Sequence, residues 1–362
     1  MRFLLAISVV GTHAGFPFLV GGPRAVQVFY MISGFLISYV LLETVKYPKV
    51  WPFYVSRFLR LWPVYAVIAL ITLGFHILHP QTRFFEYIAA QPAHGQAFLI
   101  FTNLTLFFQE YANILVATPQ GFGVLRDLYD TTTPLWPGLL VPPGWSLGVE
   151  MSFYLVAPFI LHRPKLLIGL LLASLALRGV FIAQGFGMND PWRYRFFPTE
   201  LAFFILGALA HQISMRWSQW MPNARWDAPL VGLLLIFLLL FPLGNAVLRI
   251  HDLAMTVALY GLFLVTLPLL FRFQNAHRWD VVLGELSYPI YICHWFVLIV
   301  VRTYWEGYDT QTFRAFHETW NHAALWLVIP LVILVSWGVN ATVGVGVERF
   351  RARFRAAPQA RT

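Results

Sequence analysis

The chain has 362 residues, 59% of them hydrophobic and only 11% charged, against about a quarter charged in a soluble domain of similar size. Its mean hydropathy is +0.66 and apolar runs near twenty residues recur along it, which excludes a soluble globular fold and indicates a polytopic helical membrane protein. The formal charge of +9 is spread between apolar runs and at the C-terminus, not along a basic stripe with interleaved aromatics, so it reads as membrane topology and not as nucleic-acid binding. A transmembrane β-barrel would show short alternating strands, and the sequence has none. Cys293 is the only cysteine, so there is no disulfide framework and no cysteine-based metal site.

In chain order, the predicted spans are 3–20, 25–45, 52–78, 145–161, 165–184, 197–214, 228–243, 253–271, 281–301 and 323–347. Residues 1–20 read as a span and not as a cleaved signal peptide, because the basic n-region is one residue and the apolar stretch continues past His13. An eleventh stretch, 96–116, contains Asn103, Gln109, Glu110 and Asn113. Loop charge decides its status. With 96–116 uncrossed and the N-terminus cytoplasmic, fifteen Lys/Arg fall on the cytoplasmic side and nine outside. Crossing it would export the five tail arginines, so the positive-inside rule favours ten spans with both termini cytoplasmic. Residues 79–144 become one long external segment, with 96–108 re-entrant or interfacial and a candidate wall for an internal cavity. The expected architecture is an all-α membrane domain over 1–348, about ten transmembrane helices with that one re-entrant segment, followed by a basic cytoplasmic tail at 349–362. No internal repeat is evident, nor are the inverted repeats with paired broken helices that mark transporters.

Ionisable groups inside these spans are the candidate functional residues, because charge at membrane depth is costly and normally faces a cavity. Arg2 and His13 are eleven positions apart, about three helical turns and about 16 Å along one face. Arg57 and Arg60 share a face at i and i+3 and can clamp one anion. Glu150 lies about 8 Å inside the outward start of its span, and His294 at a similar middle depth, both near the level of His13. Glu200 is a mid-span carboxylate that needs a partner, for which Arg195 is the nearest candidate in sequence. Each has a structural reading as well. Arg2, Arg57 and Arg60 fit interfacial anchors; His13 and His294 fit helix–helix hydrogen bonds; Glu150 fits a helix-start carboxylate. Gly21, Gly22 and Gly34 fit turns and close helix packing.

Several segments together are similar to one family. Arg2 and His13 with ten residues between them, followed by VFYMISGFLISYVLL at 28–42, resemble the opening of the integral-membrane acyltransferase family 3. SRFLRLWPVY at 56–65 resembles its Arg-x-x-Arg segment, and PGWSLGVEMSFYLVAPFIL at 143–161 its Trp-Ser-Leu…Glu segment. RFFPTELAFFILGALA at 195–210 and GELSYPIYICHWFVLIV at 284–300 resemble two later segments. In relatives several residues precede the first arginine; here it is the second residue. The resemblance implies a bacterial inner-membrane enzyme that moves acetyl or other short acyl groups from an acyl-CoA to hydroxyls of sugars or glycoconjugates. It assigns the essential histidine to His13, with Arg2 as its partner, the donor-binding arginines to Arg57 and Arg60, and the motif glutamate to Glu150. Ser33, Trp145, Ser146, Arg195, Glu200 and His294 are candidate walls of the site.

The expected chemistry is O-acyl transfer with neutral His13 as general base on the acceptor hydroxyl and Glu150 orienting its imidazole; a variant has His13 carry the acyl group. Arg57, Arg60 and Arg2 would bind the phosphates of acetyl-CoA or another acyl-CoA, a co-substrate and not a bound cofactor. No metal is called for, since the histidines lack ligand spacing. The alternative is a transporter or flippase for a small metabolite or lipid-linked sugar. The expected partners are the acyl-CoA, a carbohydrate acceptor and the bilayer, with no nucleic acid; the sequence leaves the oligomeric state open.

Overall fold

A computed structural model describes residues 1–16, 18–44, 47, 49–129, 133–217, 223–246, 251–305 and 323–354. Lys46, Arg249, Arg314, Arg355 and Arg361, used in the loop-charge reading, lie outside the described residues, as does the tail beyond 354.

Helices occupy all ten predicted stretches: α1 (Arg2–His13), α2 (Gly22–Leu42), α3 (Val50–Leu78), then after the short α4 (Phe84–Ala89) and α5 (Ala93–Thr105) of the external segment, α6 (Trp145–Ile160), α7 (Pro164–Ala183), α8 (Phe197–Arg216), α9 (Asp227–Ala246), α10 (Asp252–Ala276), α11 (Arg278–Trp305) and α12 (Ala323–Val339), which continues through a π-helical turn at Asn340–Gly344 into α13 (Val345–Ala352). A two-stranded hairpin, β1 (Leu115–Thr118) and β2 (Gly121–Val124), is the one sheet among the described residues. Seven helices are long and apolar enough to cross a membrane by length and composition. The protein is thus all-α and multi-pass.

The first span differs from the expectation of 3–20. Gly15 takes a positive φ of 80° and the chain turns back, so α1 ends at His13 after 12 residues, about 18 Å and short of a bilayer core. Thr12 Oγ1 accepts from the Gly22 amide at 2.8 Å and Ser8 Oγ donates to the Phe18 carbonyl at 3.0 Å, tying α1 and α2 into a tight hairpin. His13 therefore stands at a helix end beside a turn, not at mid-span.

The closest helix contact is between α2 and α8. A Cβ built on Gly34 would lie 1.9 Å from the Phe204 carbonyl oxygen, and one on Gly207 would lie 1.9 Å from the Met31 carbonyl oxygen. Two glycines, one per helix, thus let the backbones touch, the close approach that small residues permit in membranes. Around this pair, Phe204 stacks between Tyr30 and Phe153, with ring centroids at 4.6 and 4.3 Å. Helix α7 is the opposite case: Leu167 and Ser174 are its only buried residues, as expected of a helix with most of its face toward lipid.

The segment at 79–144, expected to be external, packs into the bundle. Trp62 Nε1 donates to the Leu104 carbonyl at 2.8 Å and Tyr65 hydroxyl to the Asn103 carbonyl at 3.1 Å. Tyr65 lies about 20 Å and Trp62 about 24 Å along α3 from its end at Leu78, by helix rise. The chain then returns against α6. The Gln109 and Glu110 side chains, both fully buried, fill the spaces over Gly144 and Gly148, where a Cβ would come within 2.2 and 2.1 Å of their oxygens.

At the C-terminal end, Arg351 donates from Nε to the Ser56 carbonyl of α3 at 2.9 Å. Helix α13 is therefore docked on the bundle, and the structured body continues past the expected domain edge at 348 to Ala352.

Replacing Gly34 with alanine drives a methyl into the Phe204 backbone, and overpacking of this kind costs about 1–3 kcal/mol. We expect Gly34→Ala and Gly207→Ala to lower the thermal midpoint of the detergent-solubilised protein. Gly232→Ala and Gly261→Ala, where a Cβ meets nothing within 4 Å, should leave it unchanged.

Candidate active site

Five helices surround a cavity of about 90 Å³. Helix α1 contributes Arg2 at its inner end. From α2 come Val26, Tyr30, Ser33 and Ile37, one face at three- and four-residue spacing. Helix α3 contributes Arg57, Arg60 and Leu61; α6 contributes Ser146, Glu150 and Tyr154 at successive fourth positions; α11 contributes Ser287, Tyr288 and Tyr291. A smaller cavity shares Arg2, Ile32 and Leu36 with the first and continues between α1, α2, α10 and α11 past Gln274, Asp280 and Gly284. Gly284 makes room for Arg2 there: a Cβ would sit 2.8 Å from the guanidinium Nη2.

The carboxylate is held firmly. Ser33 donates to Glu150 Oε1 at 2.5 Å, and Tyr154, one turn further along α6, donates to the same oxygen. Arg57 is buried, with its guanidinium 5.5 Å from the Phe53 ring centroid and 5.8 Å from that of Tyr47. Aromatic faces thus take part of the role of water around that charge. Three cations and one carboxylate share a single small cavity, which is suited to an anionic ligand entering against the arginines.

His13 is elsewhere. At the outer end of α1, its Nδ1 lies 2.9 Å from His294 Nε2, and the two rings stack at 5.0 Å and 12°. His294 is fully buried, and Trp295 meets His13 edge-on at 5.7 Å. Neither histidine lines the cavity. Tyr291 stands between, lining the cavity with its ring 6.0 Å from that of His294. The expectation that Glu150 orients the His13 imidazole is corrected: His294 is the ring's partner, and Glu150 is held by Ser33 and Tyr154. The depth estimate failed because α6 begins among packed helices. Its first turn lies inside the bundle, where Ser146 Oγ donates to Tyr291 hydroxyl at 2.7 Å and Tyr291 donates to the Pro143 carbonyl at 3.2 Å. Glu150 is one turn further along α6 and lines the same cavity as Arg2.

Two of the candidate walls, Ser33 and Ser146, line the cavity; Trp145, Arg195, Glu200 and His294 do not. Arg195 does not serve Glu200. It bonds Asp190 at 2.5 and 2.7 Å and covers the Trp145 ring at 4.5 Å. The partner of Glu200 is Arg178 on α7, with Gln27 Nε2 donating at 3.1 Å. Arg178 reaches Glu200 because α7 packs directly on α8, whereas Arg195 precedes α8 and turns back to its own loop. The segment at 96–116 is also not a cavity wall; it packs behind α6. Sequence reasoning missed the tyrosines Tyr30, Tyr154, Tyr288 and Tyr291. For Tyr154 the signal was present, four residues after Glu150 and hence on its face.

The acyltransferase domain of acyltransferase family 3 matches residues 1–341. Among curated proteins, the chain is 28% identical over 225 residues to the peptidoglycan O-acetyltransferase OatA of Listeria monocytogenes, covering 58% of this chain and 32% of that protein. It is 22% identical over 333 residues to the O-acetyltransferase OatA of Staphylococcus aureus, covering 84% and 51%. It is 27% identical over 317 residues to the putative membrane-bound transacylase BcsY of Komagataeibacter xylinus, covering 83% and 72%. The chain thus spans a third to a half of the length of the two O-acetyltransferases. No solved structure matches it. With the family domain covering nearly all of its helical bundle, the chain belongs to the integral-membrane acyltransferase family 3.

Proposed function

We propose that this protein is an O-acyltransferase of the bacterial inner membrane, with both termini cytoplasmic, that moves an acetyl or other short acyl group from an acyl-CoA to a hydroxyl of a carbohydrate or glycoconjugate. The observation that carries the reading is the division of α1: a cationic cavity at its inner end and a histidine pair at its outer end, within an acyltransferase fold. The names of the two O-acetyltransferase relatives support acetyl transfer, and the peptidoglycan enzyme supports a glycan acceptor.

In this reading, Arg57, Arg60 and Arg2 bind the donor's phosphates near the cytoplasmic opening. Guanidinium forks suit phosphate oxygens. The thioester then lies beyond the arginines, toward Tyr291. His13 receives the proton of the acceptor hydroxyl as that oxygen attacks the acyl carbon. The carbon–sulfur bond then breaks, the electron pair leaves with sulfur, and the proton passes to the thiolate. His294, hydrogen-bonded to His13, takes the orienting role, and Glu150 balances the charge of the arginines.

The direct test uses purified protein in nanodiscs with radiolabelled acetyl-CoA. His13→Ala should lower thioester cleavage by about 10²–10⁴-fold while the protein stays folded in the membrane fraction; undiminished cleavage would overturn the reading. Arg57→Ala combined with Arg60→Ala should raise the donor KM far more than the acceptor KM. An equal rise in both would reject the donor clamp.

A further inference from the structure

By sequence, Arg351 belongs to the expected basic tail. The structure instead buries it, 6% exposed, where α13 packs on α3, while its neighbours Arg349 and Arg353 are exposed. Burying a guanidinium is costly unless it is paired and hydrogen-bonded. One of its nitrogens donates to Glu348 on its own helix. The other two turn to a single residue of α3: Nε donates to the Ser56 carbonyl at 2.9 Å, and Nη2 to Ser56 Oγ at 3.5 Å. Ser56 is itself fully buried, and its Oγ also bonds the Tyr47 hydroxyl at 2.6 Å. The Tyr47 ring in turn lies against Arg57, 5.8 Å from the guanidinium carbon. In an α-helix the carbonyl of residue 56 pairs with the amide of residue 60. The turn that Arg351 grips is therefore the turn that carries both Arg57 and Arg60.

We propose that Arg351 is a positioning residue for donor binding: α13, docked through it, fixes the turn of α3 that aims Arg57 and Arg60 into the cavity. The proposal rests on the acyl-CoA reading above, in which those two arginines hold the donor's phosphates. Arg351 does not line the cavity, so it acts through its neighbours and not on the substrate. Two routes lead from it to the clamp. One is the backbone, since Ser56 immediately precedes Arg57 and its carbonyl closes the turn that ends at Arg60. The other is Tyr47, which Ser56 Oγ holds beside the Arg57 guanidinium. Arg57 Nε has no partner of its own in the protein, so its aim depends on the rings around it and on the backbone that carries it. Two guanidinium groups clamp one phosphate only when both are directed at it, and misplacing a binding group by a small distance is costly even when the cause lies outside the site.

The test uses the full chain in nanodiscs, with acetyl-CoA binding measured by calorimetry and thiol release measured alongside. Arg351→Ala should weaken acetyl-CoA binding and raise the donor KM by about 10–10²-fold. The kcat and the acceptor KM should stay unchanged, the pattern of an interaction lost equally from ground and transition states. In an Arg57→Ala background the effect of Arg351→Ala should shrink, because it acts through that residue; a purely structural role gives no such coupling. Arg353→Ala removes the same charge from the exposed face of α13 and should match wild type. Arg351→Lys keeps one donor for Ser56 without the fork. It should give an intermediate donor KM, and it carries the test if Arg351→Ala does not fold. Wild-type donor binding in Arg351→Ala, an equal loss in Arg353→Ala, or a fall in kcat with the donor KM unchanged overturns the proposal. If Arg57→Ala combined with Arg60→Ala leaves acetyl-CoA binding intact, the donor-clamp reading fails and the role of Arg351 with it. If that pair weakens binding and Arg351→Ala does not, only the Arg351 assignment fails.

Discussion

A carboxylate and three guanidinium groups enclosed together in an apolar bundle set the terms for everything around them. Each charge taken from water into such surroundings costs several kcal/mol unless it is compensated, and lipid offers no compensation. The protein answers with Ser33 and Tyr154 on the Glu150 carboxylate, Phe53 and Tyr47 around Arg57, and glycine at position 284 to admit Arg2. The groups come from α1, α2, α3, α6 and α11, so the cavity exists only when those five helices are in register.

That register depends on two backbone contacts. Gly34 and Gly207 bring α2 and α8 together closely enough to hold Tyr30, Ser33 and Phe204 in fixed places. On the other side of α6, the returning external segment seats Gln109 and Glu110 over Gly144 and Gly148. Helix α6 is thereby gripped from both faces, and Glu150 is set at a depth that neither contact alone would define. The re-entrant segment thus acts as a support for the site, one layer removed from it.

The separation of the arginine cavity from the histidine pair has a chemical consequence. A single 12-residue helix carries both groups at opposite ends, and the Tyr291 layer lies between them. In the acyl transfer proposed above, a donor held by its phosphates and an acceptor hydroxyl activated at His13 meet near that layer. The smaller cavity continues from Arg2 past Gln274 and Asp280.

Much of this was legible in the amino-acid sequence. Apolar runs of near-bilayer length determine helices by themselves, because backbone groups in lipid must bond within their own segment, and helices occupy all ten predicted stretches. Arg2, Arg57, Arg60 and Glu150 were recognisable because charge inside such runs is expensive, and the structure brings those four into one cavity. What sequence spacing could not decide was depth and partnership. Helix rise relates residues within one helix; it says nothing of where a neighbouring helix begins. Hence helix rise puts Glu150 within a turn or two of His13, when α6 starts inside the bundle, and pairs Glu200 with Arg195, when Arg178 faces it across a packed helix pair. Tyr30 and Tyr291 were passed over because a tyrosine in an apolar helix looks like packing until its hydroxyl's surroundings are known. Local hydrophobicity and charge are properties of the chain itself; which polar groups meet is decided only when the helices pack.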